Sequence, residues 1–327
     1  MHEATVGELS EGEILGRILA VLAGSSQAVV GPGDDAAVLA VPGGRVVVTT
    51  DTLVHGPDFR LAWSSGRDLG FKAAAVNLAD IAGMGARPIA LLVALAMPAH
   101  TDIRFVEELA AGLREACDTL APGCAVEGGD LTISETLTIA VTAIGVLDGA
   151  EPVLRSGARP GDVVAVAGEL GLAARGLAVL FDRFRDASGE PVAVDEGILS
   201  TEEHRALRAQ RRPAPPIRLG AVAADAGAHA LMDVSDGLAL DARRMATASG
   251  VTIDLDASLL GDDPAPALEG GEDHALLAIF PDGPLPDGFR AIGRVVPRSA
   301  VPVTVDGAPY ERAGGWDPYR DWDHRTG

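Results

Sequence analysis

Basic residues are scarce in this chain. Its 327 residues include 26 Lys and Arg against 47 Asp and Glu, a net charge of −21. Non-specific nucleic-acid binding depends on cationic side chains neutralising phosphates, so that class is excluded. Small phosphorylated ligands are not excluded, because a metal ion can stand between two anions. Cysteine is nearly absent: Cys117 and Cys124 are the only two. No metal-ligand or redox spacing joins them, and they read as buried thiols. None of the seven histidines lies in a zinc-binding spacing. No stretch is long and apolar enough to span a bilayer. The N-terminus, MHEATVGELSEGEIL, is acidic and has no apolar segment, so no signal peptide is expected. The expectation is a cytoplasmic protein with neither nucleic acid nor membrane as partner. There is no G-x-x-x-x-G-K-[ST] loop and no H-R-D or D-F-G set, which removes the P-loop and protein-kinase frameworks.

What is present can bury a sizeable core: 47% of the residues are hydrophobic. The length suggests two domains or one large one. The pattern breaks over 147–161 (LDGAEPVLRSGARPG), which divides the chain into 1–148 and 149–327. The first part predicts a helix over 8–23, with Ser10 as a possible N-cap, and a strand from about Arg45 to Thr50. A helix around Asp80 and an apolar strand in IALLVALAMP follow. Thr101 then caps an amphipathic helix with Ile103, Val106, Leu109, Leu113, Ala116 and Leu120 on one face. CAVEGGD and LTIAVTAIGV read as two further strands. The second part alternates strands and helices again and closes on a hairpin with Asp306-Gly307 at its turn. Residues 184–216, polar and then proline-rich, read as a surface insertion. The fold class is therefore α/β or α+β.

Several short stretches put carboxylates beside Gly, Ser, Thr or Asn. They are GPGDDAA (Asp34, Asp35), TTDT (Thr49, Thr50, Asp51), NLAD (Asn77, Asp80), EGGD (Gly129, Asp130), DVSDG (Asp233, Ser235, Asp236) and GGEDHALL (Glu272, Asp273). Each has an ordinary explanation. Asp-Asp after Pro-Gly is a common turn, Asp51 ends a strand, and Ser235 or Asp236 could cap a helix. GELGLAARGL (Gly168–Leu177) is glycine-rich between a strand and a helix, which tight packing explains about as well as a phosphate loop.

Asp80 is harder to explain in this way. On a helical wheel Phe71, Leu78 and Ala82 lie on one side, while Leu69, Ala73 and Val76 lie on the other together with Asp80. A helix apolar on both sides is expected to be buried. A buried carboxylate must be protonated, paired or bound to a cation. Lys72 and Arg87 lie off its face or beyond the helix, which favours a metal ion. Asp, Thr and Asn oxygens are hard ligands suited to Mg2+, and a polyphosphate is the usual partner of such a cluster.

In this order, GDDAAVL, TTDTLV, KAAAVNLADIAGMGARP, EGGD, LRSGARPGD, DVSDGLALD and GGEDHALL resemble the motifs of the thiamine-monophosphate kinase family. That family belongs to an ATP-binding superfamily with aminoimidazole ribonucleotide synthetase, selenophosphate synthetase and a hydrogenase-maturation protein. The resemblance runs from Gly33 to about Leu277. It implies two α/β domains: an N-terminal ATP- and Mg-binding domain that pairs through its sheet in a homodimer, and a C-terminal mixed-sheet domain packed with helices that completes the ATP and thiamine monophosphate sites. It implies several Mg2+ ions held by Asp35, Thr49, Thr50, Asp51, Asp80, Asp130, Asp233 and Asp236, with Asp35, Asp51, Asp80, Asp130 and Asp233 acting catalytically through the metal. It implies ATP contacts from Gly129, Asp130, Arg155 and Ser235. Glu272 and Trp316 match positions that hold the thiamine part. Four residues after DTLV the family commonly has a substrate-touching histidine; here that position is Asp58, with His55 three residues earlier. The rival readings are another enzyme of the superfamily, activating a carbonyl or amide oxygen with ATP, and a non-catalytic acidic protein that binds divalent cations.

Overall fold

The computed structural model describes residues 4–28, 39–41 and 44–312. Asp35 and Trp316 lie outside the described residues. The first helix, α1 (Glu11–Leu22), starts where expected: Ser10 Oγ accepts from the Glu13 N–H (3.4 Å) and Glu13 Oε2 accepts from the Ser10 N–H (2.8 Å), a reciprocal capping box.

Two sheets organise the chain. The first contains β1 (Val46–Val54), β2 (Arg87–Met97), β3 (Ala125–Ile133) and β4 (Thr138–Val146), in the order β1-β4-β2-β3. β2 and β3 run parallel, joined by α3 (Ile103–Leu120), and the other two pairings are antiparallel. The predicted apolar face of α3 is the buried one, but its cap is Asp102 rather than Thr101, because the Asp102 carboxylate accepts from the Arg104 N–H (2.9 Å). The second sheet contains β5 (Val163–Ala167), β6 (Ala230–Val234), β7 (Thr252–Leu255), β8 (Ala275–Phe280), β9 (Arg290–Val296), β10 (Val303–Val305) and β11 (Ala308–Pro309), in the order β11-β10-β7-β9-β5-β8-β6. The class is a mixed α/β fold, as the alternation predicted.

Between the two sheets lies α2 (Gly66–Gly83), the helix that carries Asp80. It packs on β1 and β4 of the first sheet, on β6 and β8 of the second, and on α3 and α6 (Arg218–Asp225). Leu69, Leu78 and Ile81 share one continuous apolar core with Leu91 and Ile139 of the first sheet and Leu231, Leu276 and Ala278 of the second. A helix wedged between sheets has no solvent face, hence its apolar residues all round. The far face of the second sheet (Val164, Val166, Met232, Leu277) is covered by α7 (Leu238–Ser249).

α2 also crosses α3 at backbone contact. A Cβ added to Gly70 would stand 2.0 Å from the Leu109 carbonyl oxygen, and one on Gly112 would stand 2.1 Å from that of Arg67. Neither neighbour is a side-chain end that could rotate away. Gly70→Ala is therefore expected to destabilise the fold by about 2 kcal/mol or more, since overpacking against backbone cannot relax cheaply. Denaturant unfolding checks this against Gly16→Ala inside α1, where a Cβ meets nothing within 4 Å and the change should be mildly stabilising.

Residues 184–216 are not a surface insertion. They hold α5 (Thr201–Arg211), which packs on α4 (Leu172–Arg183) around Trp63, Leu180, Phe184 and Leu207. Its polarity misled because only Ala206, Leu207 and Gln210 of α5 are buried. A short helix, α8 (Ala265–Glu269), precedes the GGEDH segment.

Candidate active site

The first wall of the site is where β1 meets α2. β1 alternates its side chains, so Thr49 and Asp51 face α2 while Thr50 faces the opposite, open side of the sheet. Thr49 Oγ1 donates to Asp80 Oδ2 (2.7 Å). The Asp51 N–H donates to Asn77 Oδ1 (3.0 Å), one turn before Asp80, and Asn77 Nδ2 is itself held by the Ala73 carbonyl (2.9 Å). Thr50 Oγ1 instead donates to the Val141 carbonyl (3.0 Å). Thr50 can thus offer this pocket only its backbone oxygen.

The second wall is made by two loops at the ends of β6 and β8. Residues 233–237 and 271–274 are held together by the Glu272 N–H donating to the Ser235 carbonyl (2.8 Å) and the His274 N–H donating to the Val234 carbonyl (3.1 Å). Glu272 (φ 70) and His274 (φ 54) both adopt left-handed backbone, strain that concentrates at functional sites. His274 Nδ1 lies 3.0 Å from Asp233 Oδ2. Burial opposes protonation of His274, yet the Asp233 carboxylate outweighs it and lifts the imidazole above its ordinary range.

Asp51, Asp80 and Asp233 therefore converge from strand β1, helix α2 and the end of strand β6. Asp80 is half-buried, the one residue between Leu69 and Gly83 that keeps access to the pocket. Burial pushes its pKa up to about 7, helped by the charges of Asp233 and Asp51 and opposed by the Thr49 hydrogen bond and His274. Burial likewise raises Asp51, which the hydrogen bond with Asp80 partly offsets. Among the described residues no three His, Cys, Asp or Glu side chains close into a ready-made metal cage. The donor set is an open carboxylate pocket with one hydroxyl. It suits a hard cation that keeps other ligands of its own.

The remaining predicted residues divide. Asp236 Oδ2 is bound by Arg244 Nη1 (2.7 Å), which also holds the fully buried Asp241 (2.6 Å). Burial pushes Asp241 up to about 6 against the pull of Arg244. Neither Ser235 nor Asp236 caps α7, whose N-cap is Gly237. Asp58 Oδ2 accepts from the Val54 N–H (2.7 Å) and closes the turn after β1, so its carboxylate has a backbone duty in place of the usual histidine's contact. Glu272 is held by Lys72 Nζ (2.6 Å) and Gln210 Nε2 (3.4 Å). Asp273 accepts from the Ala173 N–H (2.8 Å) in the first turn of α4, so a carboxylate already occupies the helix end that follows GELG.

Three residues are not brought to this pocket. Gly129 and Asp130 sit on β3, the edge opposite β1, with three strand spacings, about 14 Å, between the edges. Asp130 is in register with Ala94 on the open face. Gly129 must be glycine, because a Cβ would stand 2.0 Å from the Val93 carbonyl oxygen. The exposed Arg155 has its carbonyl beside Ser249 Oγ (3.3 Å), past the C-terminal end of α7, while Ser235 precedes the N-terminal end; twelve residues of helix, about 18 Å, lie between.

Sequence reasoning missed His274, Lys72 and Gln210. His274 follows a carboxylate pair that drew the attention. Lys72 was set aside because it lies off the Asp80 face, and Gln210 fell in the presumed insertion.

Residues 33–147 match the family model of the AIR synthase related protein, N-terminal domain. This assigns an AIR synthase-related domain to the part of the chain that holds the first sheet and α2. The chain is 42% identical to the thiamine-monophosphate kinase of Mycobacterium tuberculosis, over 98% of its own length and 95% of the relative's. Its fold matches the crystal structure of the thiamine-monophosphate kinase from Stenotrophomonas maltophilia K279a (TM-score 0.75, 32% identity, 94% and 99% coverage). It also matches a structure described as AaThiL complexed with AMPPCP and TMP (TM-score 0.72, 30% identity, 96% and 99% coverage). The chain belongs to the thiamine-monophosphate kinase family.

Proposed function

We infer that the protein transfers the γ-phosphoryl group of ATP to thiamine monophosphate, giving ADP and thiamine diphosphate. One observation carries this reading: near-full-length identity to thiamine-monophosphate kinases coincides with an acidic pocket built from the motifs at Thr49–Asp51, Asp80 and Asp233. A phosphate oxygen of thiamine monophosphate, already ionised at neutral pH, attacks the γ-phosphorus as the bond to the β,γ-bridging oxygen breaks and ADP leaves. No general base is needed. The difficulty is charge, since two anions must meet in line.

Asp51, Asp80 and Asp233, with Thr49 and the Thr50 carbonyl, would hold Mg2+, and Asp35 would add to them. Bound there, Mg2+ neutralises the phosphates and the charge on the transferring group. Thr49 and Asn77 fix the middle of β1 and the helix that carry these carboxylates. His274 fixes Asp233. Asp236 is tied to Arg244, so it would reach a metal only by leaving that pair. Glu272 and Trp316 receive the thiamine part, an aromatic ring suiting a cationic heterocycle. Two separate sheets, one within 46–146 and one within 163–309, support a division into 1–148 and 149–327, although α2 packs on both. An ATP-consuming reaction suits the cytoplasm, and no helix among the described residues is long and apolar enough to cross a membrane.

The open face of the first sheet supports a homodimer. Val48 is 57% exposed and Ile133 is 73% exposed, on two nine-residue edge strands that have no outer partner among the described residues. Uncovered edges of this length are usually paired or blocked. Beside β3 a cavity of about 740 Å³, lined by Leu15, Leu19, Leu92, Ile144, Gly129 and Asp130 among others, opens on the same face. Covering that face with a second copy brings Asp130 and Gly129 to the partner's site. Incubation with ATP, Mg2+ and thiamine monophosphate tests the function: thiamine diphosphate and ADP in equal amounts are expected, and ADP without thiamine diphosphate would overturn it.

A further inference from the structure

Lys72 is the only lysine in the chain; the other 25 basic side chains are arginine. Lysine codons or surface charge cannot be what keeps it, because every exposed cation here is written as Arg. The single ammonium is also in an unusual place. It is 4% exposed, in the interior of α2, and its Nζ lies 2.6 Å from Glu272 Oε1, 200 residues away. Glu272 remains 33% exposed at its side chain. The cation is thus shut inside and the carboxylate faces the pocket.

A pair kept only for stability is a poor use of a buried charge, since apolar replacements of similar volume often do as well. An arginine fork would be larger and planar, whereas an ammonium is compact and fits behind one carboxylate oxygen. The second oxygen of Glu272 is approached by Gln210 Nε2 at 3.4 Å, and the Glu272 backbone is held in left-handed conformation by its N–H bond to Ser235. The nearby Asp58 is already committed to the Val54 N–H. Glu272 keeps a third of its side chain exposed, and three groups from three segments fix its direction.

We propose that Lys72 is a positioning residue for substrate recognition, holding Glu272 aimed at the nitrogen-rich organic part of the acceptor. This rests on the reading of Glu272 as the thiamine-side contact. Lys72 and Asp80 lie on one rigid helix, eight residues or about 12 Å apart along the axis. That helix then sets the span between the group that receives the organic part and the carboxylates that receive the phosphates.

The test is steady-state kinetics of the full-length protein with Lys72→Met, Glu272→Gln, the double variant and Gln210→Leu. Lys72→Met is expected to raise KM for thiamine monophosphate at least tenfold, with kcat and the KM for ATP within about threefold of wild type. Glu272→Gln should do the same, and the double variant should be no worse than either single one by more than twofold. Glu272→Gln leaves the buried Lys72 ammonium without its carboxylate, whereas the double variant buries no unpaired charge, so it folds even where Glu272→Gln does not, and Gln210→Leu should raise the same KM by a smaller factor. An unchanged KM for thiamine monophosphate, or multiplicative effects in the double variant, would overturn the proposal. Wild-type protein that makes no thiamine diphosphate would instead overturn the functional reading, and this one with it.

Discussion

Asp80→Asn is expected to lower thiamine diphosphate formation by on the order of a hundredfold or more if, as proposed, its carboxylate holds Mg2+ where the two substrates' phosphates meet. It should also stabilise the metal-free protein. In the folded chain Asp80 titrates at about 7, pushed up by burial and by Asp233 and Asp51, against an ordinary carboxylate value of 3.8. Between these values the folded state holds a proton that the unfolded state has lost. Stability therefore falls as pH rises from about 4 to 7, and the whole penalty is present at pH 8. Asp51 is shifted in the same direction and adds to the fall. The His274–Asp233 pair contributes a fall of the same sign, since a raised imidazole stabilises the fold when protonated and loses that as pH increases. Asparagine at position 80 removes only the first of these contributions. Thermal melts of metal-free wild type and Asp80→Asn should converge near pH 4–5 and separate by pH 8, with the variant higher. Adding Mg2+ at pH 8 should raise the wild-type midpoint and close the gap. Near wild-type turnover by Asp80→Asn would sink the assignment of Asp80 as a ligand. A variant that melts lower than wild type at pH 8 would sink the electrostatic account.

The core elements were legible because they follow simple periods. The α3 stripe, the β-branched β1 and the Ser10 cap are local signals that tertiary structure did not overrule. Asp80 was legible for a related reason: an otherwise uniformly apolar helix makes one carboxylate conspicuous, although the pocket leaves it half-buried rather than enclosed. Position relative to the sheets was not legible. Nothing local in TTDT says that Thr49 faces α2 and Thr50 does not until the register of β1 against β4 is known. Nothing in EGGD says that β3 is the far edge. The α5 segment was misread because three buried residues in eleven leave a composition that looks like a loop. Lys72 was discounted by a wheel drawn around Asp80 alone. Its partner lies 200 residues away, beyond the reach of any periodicity.

Asp130→Asn, like Asp80→Asn, is expected to be nearly inactive alone, and the two together in one dimer should recover activity. The reason is geometric. In one chain Asp130 and Thr50 share the open face of the first sheet but stand on opposite edges, about 14 Å apart, too far to serve one metal cluster whose oxygen ligands lie within about 2.6 Å of the ion. In a homodimer whose two-fold axis runs parallel to the strands between the paired open faces, each β3 edge would lie against the other copy's β1 edge, and Asp130 would complete the partner's site. In a heterodimer of Asp80→Asn and Asp130→Asn chains, one site then carries both changes and the other carries neither. Purified through two different tags, that heterodimer should show about half the wild-type activity per dimer, while each parent homodimer shows almost none. If Asp130 served its own chain instead, each heterodimer site would keep one lesion and the activity would stay at the parental level. Ile133→Asp, on the same exposed strand, should disperse the protein to monomers in light scattering and lower activity with Asp80 and Asp130 intact, because pairing the faces would bury an unpaired charge there. A fully active monomer would refute the shared site, since a single chain would then bring Asp130 where it is needed without a partner.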